Sequence, residues 1–279
     1  MTRIVCLLVA LLIGLTAALG CNGPTAVYDR NRSLILGSQG RLIDGDKALS
    51  VGRAGRAADY YAQAASDLGT AIAELEEADR EVSQKIRDLD AAGAPQTGGV
   101  GGTKFYTDIL AGYREAQALA IVLKALASER QGEAAYRLGA QCLIDGDQAY
   151  AANQFATAKK EFSDSEQYFA RAVASFTGTL DFLQARNDAI QRLARSASLE
   201  TWGVLAPLRQ NVSQRLIQAG DYRKAAAQRH LQAAHIVSIY RRENTGNLPP
   251  VEIVPLIPLP DSVRTGAIPP PVPSATLAK

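Results

Sequence analysis

Residues 42–72 read LIDGDKALSVGRAGRAADYYAQAASDLGTAI, and residues 143–173 read LIDGDQAYAANQFATAKKEFSDSEQYFARAV. The first five letters are identical. Beyond them the apolar register holds, with Ala48 matching Ala149, Ala57 matching Ala158, Tyr61 matching Phe162, Leu68 matching Phe169 and Ile72 matching Val173. A shared string followed by matching apolar positions marks a duplicated unit. The apolar steps are threes and fours, so the unit is helical. A third, looser copy is expected from Leu216-Ile217 through Gly220-Asp221-Tyr222.

Working outward, Ala58, Tyr61, Ala65, Leu68, Ile72, Leu75, Val82, Ile86 and Leu89 form one stripe, interrupted only at Asp79. This heptad-like seam predicts a helix from about Ala54 to Asp90. Glu76 with Arg80 and Glu81 with Lys85 are i,i+4 pairs with the acid first, which supports an exposed face. Residues 91–104, AAGAPQTGGVGGTK, then end the helix with five glycines and a proline. The order Gly102-Thr103-Lys104 is wrong for a phosphate loop, so this segment reads as a hairpin connection. Past it, Ile109, Tyr113, Ala116, Ala120, Leu123 and Ala127 make a second stripe, and helical character resumes from about Glu133 to Ala152. Helices joined by one loop pair antiparallel.

A helix is also predicted from near Tyr28 to Ser50, and a long one through Ala158, Phe162, Phe169, Ala172, Phe176, Leu180, Leu183 and Ile190, bent at Gly178. Two last helices are expected, about Leu199–Gln218 and Asp221–Arg242, with Gly220 closing the first and Pro207 early in it or at its start. Of twelve prolines only Pro24, Pro95 and Pro207 precede Pro249. The expected fold is therefore all-α: hairpins or a coiled-coil-like bundle over residues 28–243. A proline-rich, extended or disordered tail over 244–279 follows. Its apolar side chains, Val251, Ile253, Val254, Leu256, Ile257 and Leu259, suit a docking arm as well as a spacer.

The spacing of the duplicated unit resembles that of tetratricopeptide repeats. Gly146, Phe155, Ala158, Phe162 and Ser165 stand at that family's small and aromatic positions, as do Gly45, Ala57, Tyr61 and Ala64. The resemblance implies paired helices that approach at small residues, with aromatics filling the gaps. The prolines that close the family's units are missing here, and the predicted helices are longer.

The N-terminus carries Arg3, an unbroken apolar run from Ile4 to Leu15, and then small residues up to Cys21. That is the layout of a secretory signal peptide, residues 1–20, with residues 21–27 as a tether. Ala18-Leu19-Gly20-Cys21 resembles the lipobox of bacterial lipoproteins, which implies acylation of Cys21 and attachment to a lipid bilayer. Asn22 after the cysteine favours, by that family's rule, the outer membrane facing the periplasm. The alternatives are cleavage by the general signal peptidase after Gly20 and an uncleaved anchor; the apolar run is shorter than the roughly 20 residues that span a bilayer.

Removing residues 1–20 takes Arg3 away and leaves 29 Lys and Arg against 28 Asp and Glu. That balance, without a basic run, argues against nucleic acid as a partner. Cys6 leaves with the signal, so Cys142 stands as a lone thiol, read as core packing. The Asp44/Asp46 and Asp145/Asp147 pairs lack the oxygen array of a calcium loop and read as a solvated helix break or cap. His230 and His235 are not spaced as an i,i+4 metal pair. Trp202 and Tyr222 read as helix packing. No catalytic residue, cofactor or metal is expected, and the chain is not expected to be an enzyme. The expected function is a membrane-anchored scaffold or adaptor for envelope proteins; a coiled-coil spacer lacking a specific client is the second reading, and a secreted soluble protein, or an enzyme or ligand carrier with a site assembled from scattered residues, the third.

Overall fold

The computed structural model describes residues 23–93, 102–194 and 203–243, with side chains to residue 239. Six helices make up these residues and no strand occurs among them: α1 Pro24–Ser50, α2 Ala54–Ala91, α3 Thr103–Ala151, α4 Phe155–Ala185, α5 Asn187–Leu193 and α6 Leu205–Glu243. The signal segment, Cys21, Trp202 and the proline-rich tail lie outside the described residues. Helix α1 starts at Pro24, inside the stretch expected as tether, because a proline at the first helical position needs no donor and has the right φ.

The helices pack in chain order, α1 on α2, α2 on α3, α3 on α4 and α4 on α6. In addition α1 and α6 each touch α3, which makes α3 the spine. The two turns that close the hairpins are copies of each other. Gly52 (φ +76°) and Asn153 (φ +61°) hold the left-handed position, the latter a residue type that tolerates it. Arg53 N–H donates to Ala48 C=O at 2.9 Å and Gln154 N–H to Ala149 C=O at 2.8 Å. The duplication visible in the strings thus runs through the turn itself.

Glycines set how closely each hairpin closes. A Cβ placed on Gly132, Gly139 or Gly146 would stand 2.6, 3.1 or 2.6 Å from the rings of Phe176, Phe169 and Phe162 respectively. The residue numbers add to the same total in all three pairs, so these contacts define one antiparallel register. In the first hairpin Gly45 admits Tyr61 in the same way. The shift that carries Gly45 onto Gly146 carries Asn31 and Ser38 onto Gly132 and Gly139, and Leu75 and Leu68 onto Phe176 and Phe169. All four of those first-hairpin residues are buried. Where one copy sets glycine against phenylalanine, the other carries a polar residue and the smaller leucine at the equivalent positions. Ser165 extends the pattern, its buried hydroxyl donating to the Gly139 carbonyl at 2.8 Å.

Three expectations are corrected. The third copy does not form a hairpin: α6 runs unbroken through Gly220, which has no positive φ. Burial of Ala219, Tyr222 and Ala226 outweighs the roughly 1 kcal/mol that a mid-helix glycine costs. Pro207 falls in the first turn of α6, where a missing N–H costs nothing. The stripes at Ile109–Ala127 and Glu133–Ala152 belong to the single helix α3. The single long helix expected through Ile190 is interrupted at Arg186, which is ion-paired to Glu76 on α2.

Gly146→Ala should therefore lower stability by about 1–3 kcal/mol, the cost of forcing a methyl against a packed ring. Gly178→Ala, where a Cβ would meet nothing within 4 Å, should raise it by about 0.5–1 kcal/mol. Urea unfolding midpoints compare the two; shifts of the same sign contradict the packing described.

Candidate functional site

The Asp-Gly-Asp strings sit in the interiors of α1 and α3, so they are neither breaks nor caps. The glycine faces the opposing ring, and the second aspartate turns toward the next unit. Asp46 is ion-paired to Arg130 of α3, a guanidinium only 1% exposed, and accepts a hydrogen bond from the Tyr61 hydroxyl at 2.8 Å. Asp147 makes the equivalent pair one unit on, with Arg229 of α6 at 2.6 Å. Phe162 replaces Tyr61 in this copy and lies 6.0 Å beneath the Arg229 guanidinium. Between these pairs, Glu133 of α3 bridges Arg137 at 3.1 Å and Arg215 of α6 at 3.3 Å. Arg215 rests over the Tyr136 ring. These ion pairs, from α3 to α1 on one side and to α6 on the other, form one row. By the same logic α6 is the first helix of a further unit, since Arg229 does for Asp147 what Arg130 does for Asp46.

Burial raises the Asp46 carboxyl above its ordinary value, with Arg130 and the Tyr61 hydroxyl opposing the rise. Asp147 is raised by burial in the same way, opposed by Arg229. The Tyr61 phenol is pushed far up by burial and by the Asp46 carboxylate, so it acts as a hydrogen-bond donor and not as a base. Glu129, one turn before Glu133, is pushed up to about 7 by burial and by the Glu133 carboxylate.

A second polar cluster lies at the other end of α3, where Arg114 and Gln117 floor a cavity of about 520 Å³. Glu76, Asp79 and Arg80 of α2 form one wall, and Ala189, Arg192 and Leu193 of α5 the other. Both of its carboxylates are ion-paired, Asp79 with Arg114 at 2.9 Å and Glu76 with Arg186 at the end of α4.

No family model, curated protein or solved structure matches this chain.

Cys21, the one residue to which the sequence assigns a modification, lies outside the described residues. Asp44 and Asp145 are surface residues of their helices, the first paired with Lys47 and the second accepting from Gln141. Cys142 is partly buried, and burial with the Glu161, Asp164 and Asp145 carboxylates pushes its thiol up to about 11, the reverse of an activated nucleophile. Tyr222 packs between Tyr136 and Phe169, with ring centroids at 5.8 and 5.5 Å. His230 is partly exposed and His235 exposed. Among the described residues no His, Cys, Asp or Glu side chains gather as a metal site, and no helix is long and apolar enough to cross a membrane. Arg130, Arg229 and Glu133 were missed from sequence. The available signal was the second aspartate of each repeated string, an acid repeated on a helix whose neighbours are apolar.

Two outcomes follow. Arg130→Met should cost about 3–5 kcal/mol by leaving Asp46 buried without its partner, and adding Asp46→Leu should restore most of that loss. An additive double variant in chemical denaturation would contradict the pairing. For Glu129 the folded chain holds its proton more tightly than the unfolded one, whose value is near 4.5. Its contribution is therefore full below pH 4.5 and is lost as pH rises through 7. Glu129→Gln should flatten the fall in stability between those limits, which unfolding midpoints against pH would register.

Proposed function

We propose that this chain is a lipid-anchored envelope scaffold whose helical body holds a C-terminal docking arm away from the membrane that Cys21 enters. The observation that carries the reading is the position of the two ends. Pro24, which follows Cys21 by three residues, is tied to α3 near that helix's start by the Tyr113 hydroxyl, 2.5 Å from the Pro24 carbonyl. Glu243, from which the proline-rich residues continue, ends a helix antiparallel to α4 that starts beside Leu183, where Arg209 donates to the Leu183 carbonyl. It therefore lies beyond the Asn153 turn, at the opposite pole. Helix α1 alone spans about 40 Å at 1.5 Å per residue, which sets the scale of that separation.

Two further features support a scaffold. The buried ion pairs between successive units fix their relative rotation, because each charge lost from its partner is costly. The Cys142 thiol is not activated, and in the polar cavity beside α5 the Asp79 and Glu76 carboxylates are each held by an arginine, so neither favours a catalytic reading. A spacer without a client shares this geometry; the apolar side chains of residues 251–259 favour a bound protein partner over a simple extension.

Cys21→Ala is expected to leave the precursor unprocessed or to release the product from the membrane fraction, with the intact mass of the wild type showing acyl chains at residue 21. A mutant that fractionates and migrates like the wild type would refute the anchor. Crosslinking on intact cells should then capture discrete, stoichiometric protein partners that deletion of residues 244–279 removes.

A further inference from the structure

Helices α2 and α3 do not stop where α1 begins. Arg30 of α1 pairs with Glu74 of α2 at 2.8 Å, and the Tyr28 ring of α1 lies tilted against that of Tyr113 of α3 with ring centroids 6.3 Å apart. Those contacts set the level of Pro24 on its neighbours. Past that level α2 continues to Ala91, and α3 begins at Thr103. At 1.5 Å per residue the paired helices overhang the start of α1 by about 10–15 Å.

The overhang carries a particular set of side chains. Phe105 and Tyr106 touch edge to face, with centroids 5.3 Å apart, and both are partly exposed. Lys104 beside Phe105 in sequence and Lys85 on α2 are exposed, and Ile86 and Leu89 are only partly covered. Aromatic rings with long basic side chains suit the headgroup layer of a bilayer, where a ring meets the acyl boundary and an ammonium reaches water. The exposed carboxylates Asp88, Asp90 and Asp108 oppose deeper entry.

We infer that the overhanging tip of α2 and α3 is a second membrane contact, seated in the headgroup layer through Phe105, Tyr106 and Lys104. This rests on the proposed anchor at Cys21. Two residues, Asn22 and Gly23, lie between Cys21 and Pro24, a tether of at most about 10 Å even fully extended. An overhang of equal or greater length has no room to stay clear of the surface to which such a tether leads. The body thereby gains a fixed direction, with α1 to α4 steep to the membrane and the Gly52 and Asn153 turns away from it.

The test uses one tryptophan at a time in the Trp202→Phe background, with Phe105→Trp at the tip and Val51→Trp in the exposed turn at the far pole. Each protein is extracted from membranes and reconstituted into phosphatidylcholine–phosphatidylglycerol vesicles containing lipids brominated at shallow or deep acyl positions. A second preparation, starting at residue 21 and carrying Cys142→Ser, is coupled through Cys21 to a maleimide-bearing lipid, so that anchoring is imposed. In the vesicle-bound protein the tip tryptophan should be quenched at least twofold by the shallow bromines and less by the deep ones, and the far-pole tryptophan should not be quenched. Equal quenching of the two tryptophans, or none of either, in the coupled protein overturns the inference. Quenching in the coupled protein together with a natively purified protein that does not hold to vesicles upholds the contact and removes only the natural anchor. A cooperative thermal transition in each variant confirms that the helices are folded.

Discussion

The absence of a side chain at Gly45, Gly132, Gly139 and Gly146 is the constraint on which the rest of this molecule depends. Four aromatic rings occupy the space that Cβ atoms would take. A ring pressed against backbone buries its face while making the close contacts that interiors require. The three sites on α3 lie one heptad apart, so they act as a ruler that admits one register. A shift by one residue would drive a ring into a neighbouring side chain. Everything downstream inherits that register, including the direction in which the second aspartate of each string points.

That aspartate joins one hairpin to the next. Asp46 reaches Arg130, and Asp147 reaches Arg229, from positions equivalent in the two copies. The pairs differ in how they are completed. In the first copy Tyr61 donates to the carboxylate, whereas in the second Phe162 offers only a ring beneath the guanidinium. Buried pairs of this kind contribute less to net stability than to uniqueness, because a misrotated unit would strand charges away from water. A repeat architecture with only two full hairpins has few interfaces over which to spread that specificity.

Helix α2 was legible because its apolar steps are regular and because residues 91–104 contain the glycines and proline that halt a helix. The duplication was legible from LIDGD and its following register. The packing role of Gly132 and Gly139 was not, since an isolated glycine in a helical pattern is also a weak point or a cap. The same ambiguity produced a false break at Gly220; tertiary packing decides such cases, and propensity does not. The ion pairs were hidden for a different reason. A partner such as Arg229 lies far along the chain from Asp147, and nothing in its local sequence separates it from the exposed arginines around it. Cys21 remains legible only through its resemblance to a lipobox, and its acylation stands as a proposal.

If the glycine–ring register is correct, the scaffold reading gains its mechanical basis: paired helices locked close enough to act as a stiff strut between an anchored pole and a displayed arm. The most direct test is a nuclear Overhauser spectrum of protein selectively labelled at glycine and phenylalanine. The α protons of Gly132, Gly139 and Gly146 should show cross-peaks to the ring protons of Phe176, Phe169 and Phe162 respectively, with chemical shifts displaced by the ring currents. Glycine α protons at random-coil shifts, or cross-peaks that pair these residues in another order, would contradict the register and the architecture built on it.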